Sequence, residues 1–484
     1  MTLSLLSLTP LLAVSTTAVL LLLLIGIKRH HGAVGTLTML GLGVALVSCL
    51  GAYFVTQRAD YSFYAQFATL VTVDSYALYY AALGIMGTII TTMLSYAWLK
   101  QYTAQGRGHL FREEYYVLLL CCALGGVLLA MANHMATLFL GIELFSISLF
   151  ALVAYPVRDK YALEAGIKYL FLSGLASAFL LFGVALMYAG TGHLDFAGIG
   201  KAVGGNPNTY TLIGLSLMIV GVGFKLSLAP FQLWTPDVYQ GAPAPVTAFL
   251  ATVAKGAVFA VMLRFLVVSE LYASRSVVLV FAVVAIASIV IGNLLALLQQ
   301  NVKRMLGYSS IAHMGYLLIA LIALPHPGGD GVSSIEAVGF YVFASFGTSL
   351  GAFGVLSMLQ TPDGKKDVET LDELRGLFWF KPWLATCFTI MLLSLAGIPS
   401  TAGFLTKVYT VLAALAPAQA GENQLIFQVL IGALVVGSAM GLFYYLRFII
   451  AMFAQMPEGV APTRSLPSIP AQTALTMVSA PVMI

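Results

Sequence analysis

Apolar runs of about 20 residues recur along the whole of this 484-residue chain. Each is long enough to span the roughly 30 Å hydrocarbon core of a bilayer at 1.5 Å per residue. In lipid every backbone N–H and C=O needs a partner within the protein, so runs of this kind become helices. Only 9% of the residues are charged, against roughly 25% in an ordinary soluble domain. The net charge of +4 is spread over loops and apolar runs alike, which excludes a basic face for nucleic acid or an acidic substrate. The expected class is an all-α polytopic membrane protein, with residues 1–484 forming a single transmembrane domain. The longest polar connection, Gln360 to Lys381, is too short to be a soluble domain.

Hydropathy and length predict spans at 8–27, 33–55, 75–99, 114–131, 134–155, 162–189, 210–229, 246–268, 277–298, 305–324, 335–358, 383–415, 425–453 and 470–484, about fourteen in all. The N-terminus has no basic segment ahead of its apolar run and reads as a first span rather than a cleaved signal. The stretch 470–484 is short for a full crossing. Basic residues fall in alternate loops: Lys28 and Arg29; Lys100, Arg107 and Arg112; Arg158 and Lys160; Lys303 and Arg304; Lys365, Lys366, Arg375 and Lys381; Arg464. The intervening loops hold only Arg58, Lys201 and Arg275. By the positive-inside rule both termini then lie on the outer side.

Against this background the charges inside the spans stand out. Lys225 and Lys255 lie deep in spans seven and eight, with Pro230, Pro236, Pro243 and Pro245 between them. A lysine at mid-bilayer costs about 2.5–3.5 kcal/mol on insertion scales. A proline such as Pro230 frees backbone groups that must find partners in protein or water. Together they point to a wet, protonatable site. Glu143 lies near the middle of span five, either as a functional carboxylate or as a neutral group that fixes helix packing. Glu164 and Lys168 share a face of span six as an i,i+4 pair. They fit a role in proton uptake or a plain interfacial pair with a snorkelling lysine.

His313 in span ten, near Ser309, Ser310 and Tyr316, reads either as a proton shuttle or as a packed imidazole. Span twelve contains AGIPSTAG, a break built on Gly397, Pro399 and Gly403, followed by Lys407. Spans seven and twelve are thus two interrupted helices of opposite direction, each with a deep lysine. That spacing predicts two inverted five-helix repeats, spans four to eight (114–268) and nine to thirteen (277–453), preceded by N-terminal helices within 8–131. Arg447 in span thirteen has no evident role. Asp74 with Tyr76, Tyr79 and Tyr80 reads as an interfacial cluster at the start of span three. Cys49, Cys121, Cys122 and Cys387 show no metal or redox spacing and read as buried thiols.

Four segments carry a resemblance: LFLGIELFSISLFAL from Leu138, PFQLWTPDVYQGAPAPVTAFLATVAKGAVFAVMLR from Pro230, RMLGYSSIAHMGYLL from Arg304 and LSLAGIPSTAGFLTKVY from Leu393. In order, over about residues 75–455, they resemble the antiporter-like membrane subunits of respiratory complex I, the NADH–quinone oxidoreductase. The wording WTPDVYQGAPAPVTAFLA looks most like the bacterial subunit N type. Lys407 fits that type, whereas subunit M resembles the pattern with a glutamate there, and subunit L would add a long C-terminal lateral helix. The family often has His where this chain has Gln232.

The resemblance implies proton translocation driven by quinone reduction elsewhere in the complex. Glu143 and Lys225 would be an ion pair gating one half-channel, Lys255 the connecting lysine, His313 part of the polar axis and Lys407 the outlet lysine. It implies that NADH, FMN, iron–sulfur clusters and quinone are held by partner subunits, with none in this chain. The partners would include a second antiporter-like subunit and the small subunits toward the quinone site. The location would be the bacterial inner membrane, with both termini periplasmic. No glycine-rich dinucleotide loop or cysteine cluster is present in the sequence. The alternatives are a subunit of a multisubunit Na+/H+ antiporter, a non-translocating assembly subunit and a free-standing solute carrier.

Overall fold

The computed structural model describes residues 6–57, 70–104, 111–203, 208–324, 334–361, 367–419, 423–456, 462–465 and 468–483. Arg58, Arg107, Lys365 and Lys366, four of the charges used to orient the spans, lie outside the described residues. The helices in chain order are α1 (Thr9–Ile27), α2 (His31–Thr56), α3 (Ser75–Ala104), α4 (Arg112–Met131), α5 (Met135–Val153), α6 (Lys160–Thr191), α7 (Phe196–Val203), α8 (Thr209–Lys225) and α9 (Trp234–Gly241). They continue with α10 (Ala244–Val268), α11 (Arg275–Leu297), α12 (Val302–Ile322), α13 (Ser334–Met358), α14 (Leu377–Phe380), α15 (Pro382–Ala396), α16 (Ala402–Gln419), α17 (Gln424–Phe453) and α18 (Ile469–Ser479). The strands β1 (Leu359–Gln360) and β2 (Arg464–Ser465) pair antiparallel. This is an all-α, multi-span membrane fold.

Among the described residues 11 helices are long and apolar enough to cross a membrane, or 12 if the bent pair ending in α15 is one span. About fourteen were expected, and the difference has local causes. Helix α8 stops after 17 residues at Lys225. Beyond it Ser227 has φ +61, and Pro230 offers no N–H to continue the ladder. Helix α15 is 15 residues long and ends where Gly397 takes φ +80. The last helix, α18, has 11 residues. Side-chain oxygens start several of the others. The Asp159 carboxylate accepts from Tyr161 N at 2.9 Å at the head of α6, and the Asn301 amide oxygen accepts from Arg304 N at 3.0 Å at the head of α12.

The chain forms two compact units. The first comprises Met1–Thr92, His109–Lys225 and Val253–Leu271. In it α6 lies along α8, α4 lies along α5, α1 packs on α2 and α4, and the later part of α10 packs on α4. A Cβ at Gly183 of α6 would stand 2.7 Å from Gly214 O of α8, so that crossing requires glycine. Phe171 and Phe182 are exposed on α6, as lipid-facing side chains would be.

The second unit comprises Met93–Gly108, Leu226–Thr252 and Tyr272–Ile484. Here α11 packs on α12 and α17, α13 on α15 and α16, and α9 on α12. Residues 226–252 belong to this second unit, although the sequence places them in the first repeat.

Candidate functional site

In the first unit the site forms around Lys225, the last residue of α8, which is buried. Its ammonium donates to Ser146 Oγ at 2.7 Å on α5 and to Ser173 Oγ at 2.6 Å on α6. Ser146 sends its own proton to Ile142 O at 2.6 Å, which leaves its lone pairs to the lysine. Glu143 lies one helical turn before Ser146 and within electrostatic reach of the ammonium. Its Oε1 is buried without a hydrogen-bond partner. The ion pairs among the described residues do not include Glu143 with Lys225. The two serine hydroxyls hold the lysine, and the carboxylate stands beside them.

Glu164 and Lys168 do meet, at 2.7 Å, on a largely exposed stretch of α6. Glu164 is nine residues from Ser173, which at 100° per residue places it on the opposite face of the helix. The pair and the Lys225 contact therefore occupy different sides of α6. Lys255 is 1% exposed. It follows directly on a π-helical turn, Leu250–Ala254, inside α10, a type of irregularity frequent at functional sites.

In the second unit Lys407 is held at the break between α15 and α16. The end of α15 is a Schellman turn: Ile398 N donates to Leu393 O at 3.0 Å and Gly397 N to Ser394 O at 2.9 Å. Ala396 O is left over, and Lys407 Nζ reaches back to donate to it at 2.7 Å. Gly403 N at the head of α16 donates to Ser394 Oγ at 3.0 Å. Pro399 sits between the two helices, where its missing N–H costs nothing. The lysine thus places a positive charge at the negative end of a half-helix.

The Lys407 ammonium lies 5.6 Å from the Tyr316 ring centre. Tyr316 OH accepts from Asn293 Nδ2 at 3.0 Å, and Tyr444 OH donates to Asn293 Oδ1 at 3.1 Å. His313 shares hydrogen bonds with the hydroxyls of Tyr341 at 2.8 Å and Tyr445 at 3.2 Å. Tyr445 OH also meets Ser309 Oγ. A small cavity of about 20 Å³ opens here, lined in part by Ser309, Ser310, His313, Ser345 and Ser349. That is enough volume for a single water.

Sequence reasoning placed Ser309, Ser310 and Tyr316 beside His313 but missed Asn293, Tyr341, Tyr444 and Tyr445. Tyrosines within apolar runs carry no signal that separates packing from hydrogen bonding. It also misread Lys303 and Arg304 as loop charges. Lys303 is buried, and its Nζ donates to Ala242 O at 3.0 Å, at the end of α9. Arg304 pairs with Asp237 at 2.6 Å and donates to Gln240 Oε1 at 3.1 Å. Both charges tie the short helix after the first break to α12. Arg447 NH1 donates to Leu297 O at 2.9 Å and caps α11. Gln232 is buried, and its Oε1 has no hydrogen-bond partner. Cys49, Cys122 and Cys387 are buried, Cys121 is partly so, and all are free thiols. Among the described residues no group of three or more His, Cys, Asp and Glu is placed to hold a metal ion.

Residues 132–436, a stretch that contains Glu143, Lys225, Lys255, His313 and Lys407, match the family described as NADH:quinone oxidoreductase/Mrp antiporter, transmembrane. The chain belongs to this family. A chain of respiratory complex I from Thermus thermophilus is similar at 33% identity, covering 98% of this chain and 96% of that one, with a TM-score of 0.78. A chain of an archaeal membrane-bound sulfane sulfur reductase shares the fold at 23% identity, covering 99% and 93%, with a TM-score of 0.79. A chain of the Mrp complex from Dietzia sp. DQ12-45-1b does so at 20% identity, covering 98% and 94%, with a TM-score of 0.76. As a member of this antiporter-like family, the chain has an ion-coupled membrane function and carries a buried network of charged and polar side chains.

Proposed function

We propose that this chain is the subunit N-type member of the family, a proton-translocating subunit of a bacterial NADH–quinone oxidoreductase. The observation that carries the reading is Lys407 seated on the carbonyl end of a half-helix, where the subunit M pattern has a glutamate. The 33% identity to the complex I chain, against 20% to the Mrp chain, supports it. The chain crosses the inner membrane fourteen times, with both termini periplasmic. Spans seven and twelve are the interrupted helices of two inverted repeats. Lys225 releases its proton toward Lys255 when Glu143 shifts, His313 is part of the polar axis, and Lys407 discharges outward. Glu164 and Lys168 collect protons at the surface. Buried polar atoms without protein partners at the first break, Ser227 Oγ, Gln232 Oε1 and Thr235 Oγ1, favour water there, since such atoms in native interiors rarely stay unsatisfied. Redox cofactors and quinone belong to partner subunits.

A second reading, a subunit of a multisubunit Na+/H+ antiporter, rests on the matched family, whose description names the Mrp antiporter beside NADH:quinone oxidoreductase. Affinity purification of the tagged chain from its own membranes separates the two. The proposal predicts co-purifying flavin, iron–sulfur clusters and NADH–quinone reductase activity. A stable complex without these, giving Na+-dependent proton exchange in vesicles, contradicts it.

A further inference from the structure

The helix that carries Lys255 is held from its opposite side by an ion pair that the relay does not use. Arg264 is buried in α10. Its NH1 donates to Asp74 Oδ2 at 3.0 Å and its NH2 to Asp74 Oδ1 at 2.7 Å, the bidentate fork that only arginine makes. The guanidinium carbon lies 4.8 Å from the Tyr76 ring centre. Tyr76 OH donates to Ala260 O at 2.7 Å, one turn before Arg264. Asp74 is itself fixed, since Oδ1 accepts from Ala77 N at 2.7 Å in the first turn of α3. Further along α3, a Cβ at Gly84 would stand 3.8 Å from Val253. As the α3 residue number falls from 84 to 76, the partner in α10 moves from Val253 to Ala260. The two helices therefore run antiparallel.

Lys255 and Arg264 are nine residues apart, which puts them on opposite faces of α10. On its N-terminal side Lys255 adjoins the π-helical turn Leu250–Ala254, where the ordinary i→i−4 ladder is interrupted. Beyond Lys255 on its C-terminal side, the ordinary helix is tied to α3 at Ala260 and Arg264. A buried guanidinium in a membrane span is costly and more than packing alone needs.

We propose that Asp74 and Arg264, with Tyr76, are positioning residues that hold Lys255 in register. The proposal rests on the reading of Lys255 as a proton carrier, and the experiment separates the two. Asp74→Asn is compared with the exchanged pair Asp74→Arg/Arg264→Asp, each in the assembled complex in native membrane vesicles. One readout is proton translocation. The other needs no proton role: the rate at which the thiol of Lys255→Cys reacts with a membrane-permeant maleimide, in a background with the four native cysteines replaced by alanine.

Asp74→Asn is expected to change both rates about tenfold, within the range of measured coupling between distant residues, and the exchanged pair to restore most of each. Labelling that is unchanged by Asp74→Asn overturns the clasp, whatever happens to transport. Labelling that changes while transport does not upholds the clasp and overturns Lys255 as a carrier. Should Asp74→Asn fail to assemble, Tyr76→Phe removes only the hydroxyl on Ala260. It is expected to shift labelling in the same direction by a smaller factor, and no shift overturns the proposal.

Discussion

Lys407→Met is expected to lower proton translocation by at least about tenfold, a loss of more than roughly 1.4 kcal/mol in the coupled step, while the complex still assembles. Methionine fills a similar volume, so the packing of α16 survives. What disappears is the ammonium that donates to Ala396 O at 2.7 Å. Leaving that carbonyl without its charged donor costs about 1–3 kcal/mol. Removing a buried lysine from a membrane span returns about 2.5–3.5 kcal/mol on insertion scales, so stability changes little. Lys407→Arg is expected to fail as well, although it keeps the charge. A Cβ added at Gly397 would already meet Lys407 Nζ at 2.8 Å and its Cδ at 2.9 Å, and a planar guanidinium is wider than an ammonium. Translocation by inverted vesicles, with assembly followed by immunoblot, measures both. Full translocation in assembled Lys407→Met would remove this lysine from the pathway.

Gly397→Ala is expected to disable the same site without touching the lysine. Gly397 has φ +80, which costs an L-residue about 1–2 kcal/mol. The added methyl would also push the Lys407 side chain off Ala396 O. Together these put the local loss at about 2–5 kcal/mol. Hydrogen exchange should speed up across Ala396–Phe404, and translocation should fall nearly as far as in Lys407→Met. Unchanged exchange and translocation would show that the break tolerates a side chain there and that the lysine contact is incidental.

Much of this arrangement can be read from residue order, because lipid makes charge and proline conspicuous. Lys225, Lys255 and Lys407 stand out against apolar neighbours. The AGIPSTAG break is legible from Gly397 and Pro399, whose backbone chemistry is local. The contacts that hold these lysines are not local. Ser146 is 79 residues from Lys225 and Ser173 is 52, and a serine in an apolar helix looks the same whether it bonds a lysine or its own backbone. Arg264 is 190 residues from Asp74, so Asp74, at the start of its span, looked like part of an interfacial cluster. Lys303 lies in the first turn of a helix, and nothing in its neighbours says that Ala242 O lies over it. The π-helical turn before Lys255 has no composition of its own. The sequence therefore identifies the charged groups of the site, and the packing supplies their partners.

The central claim is that a buried lysine moves a proton in step with electron transfer. Lys225→Met tests it most directly, in native membrane vesicles, with NADH–quinone reductase rate and proton uptake recorded together and assembly checked by immunoblot. The account predicts a complex that assembles and loses both rates together. An assembled complex with both rates unchanged would make Lys225 a structural lysine held by Ser146 and Ser173, and would contradict the relay.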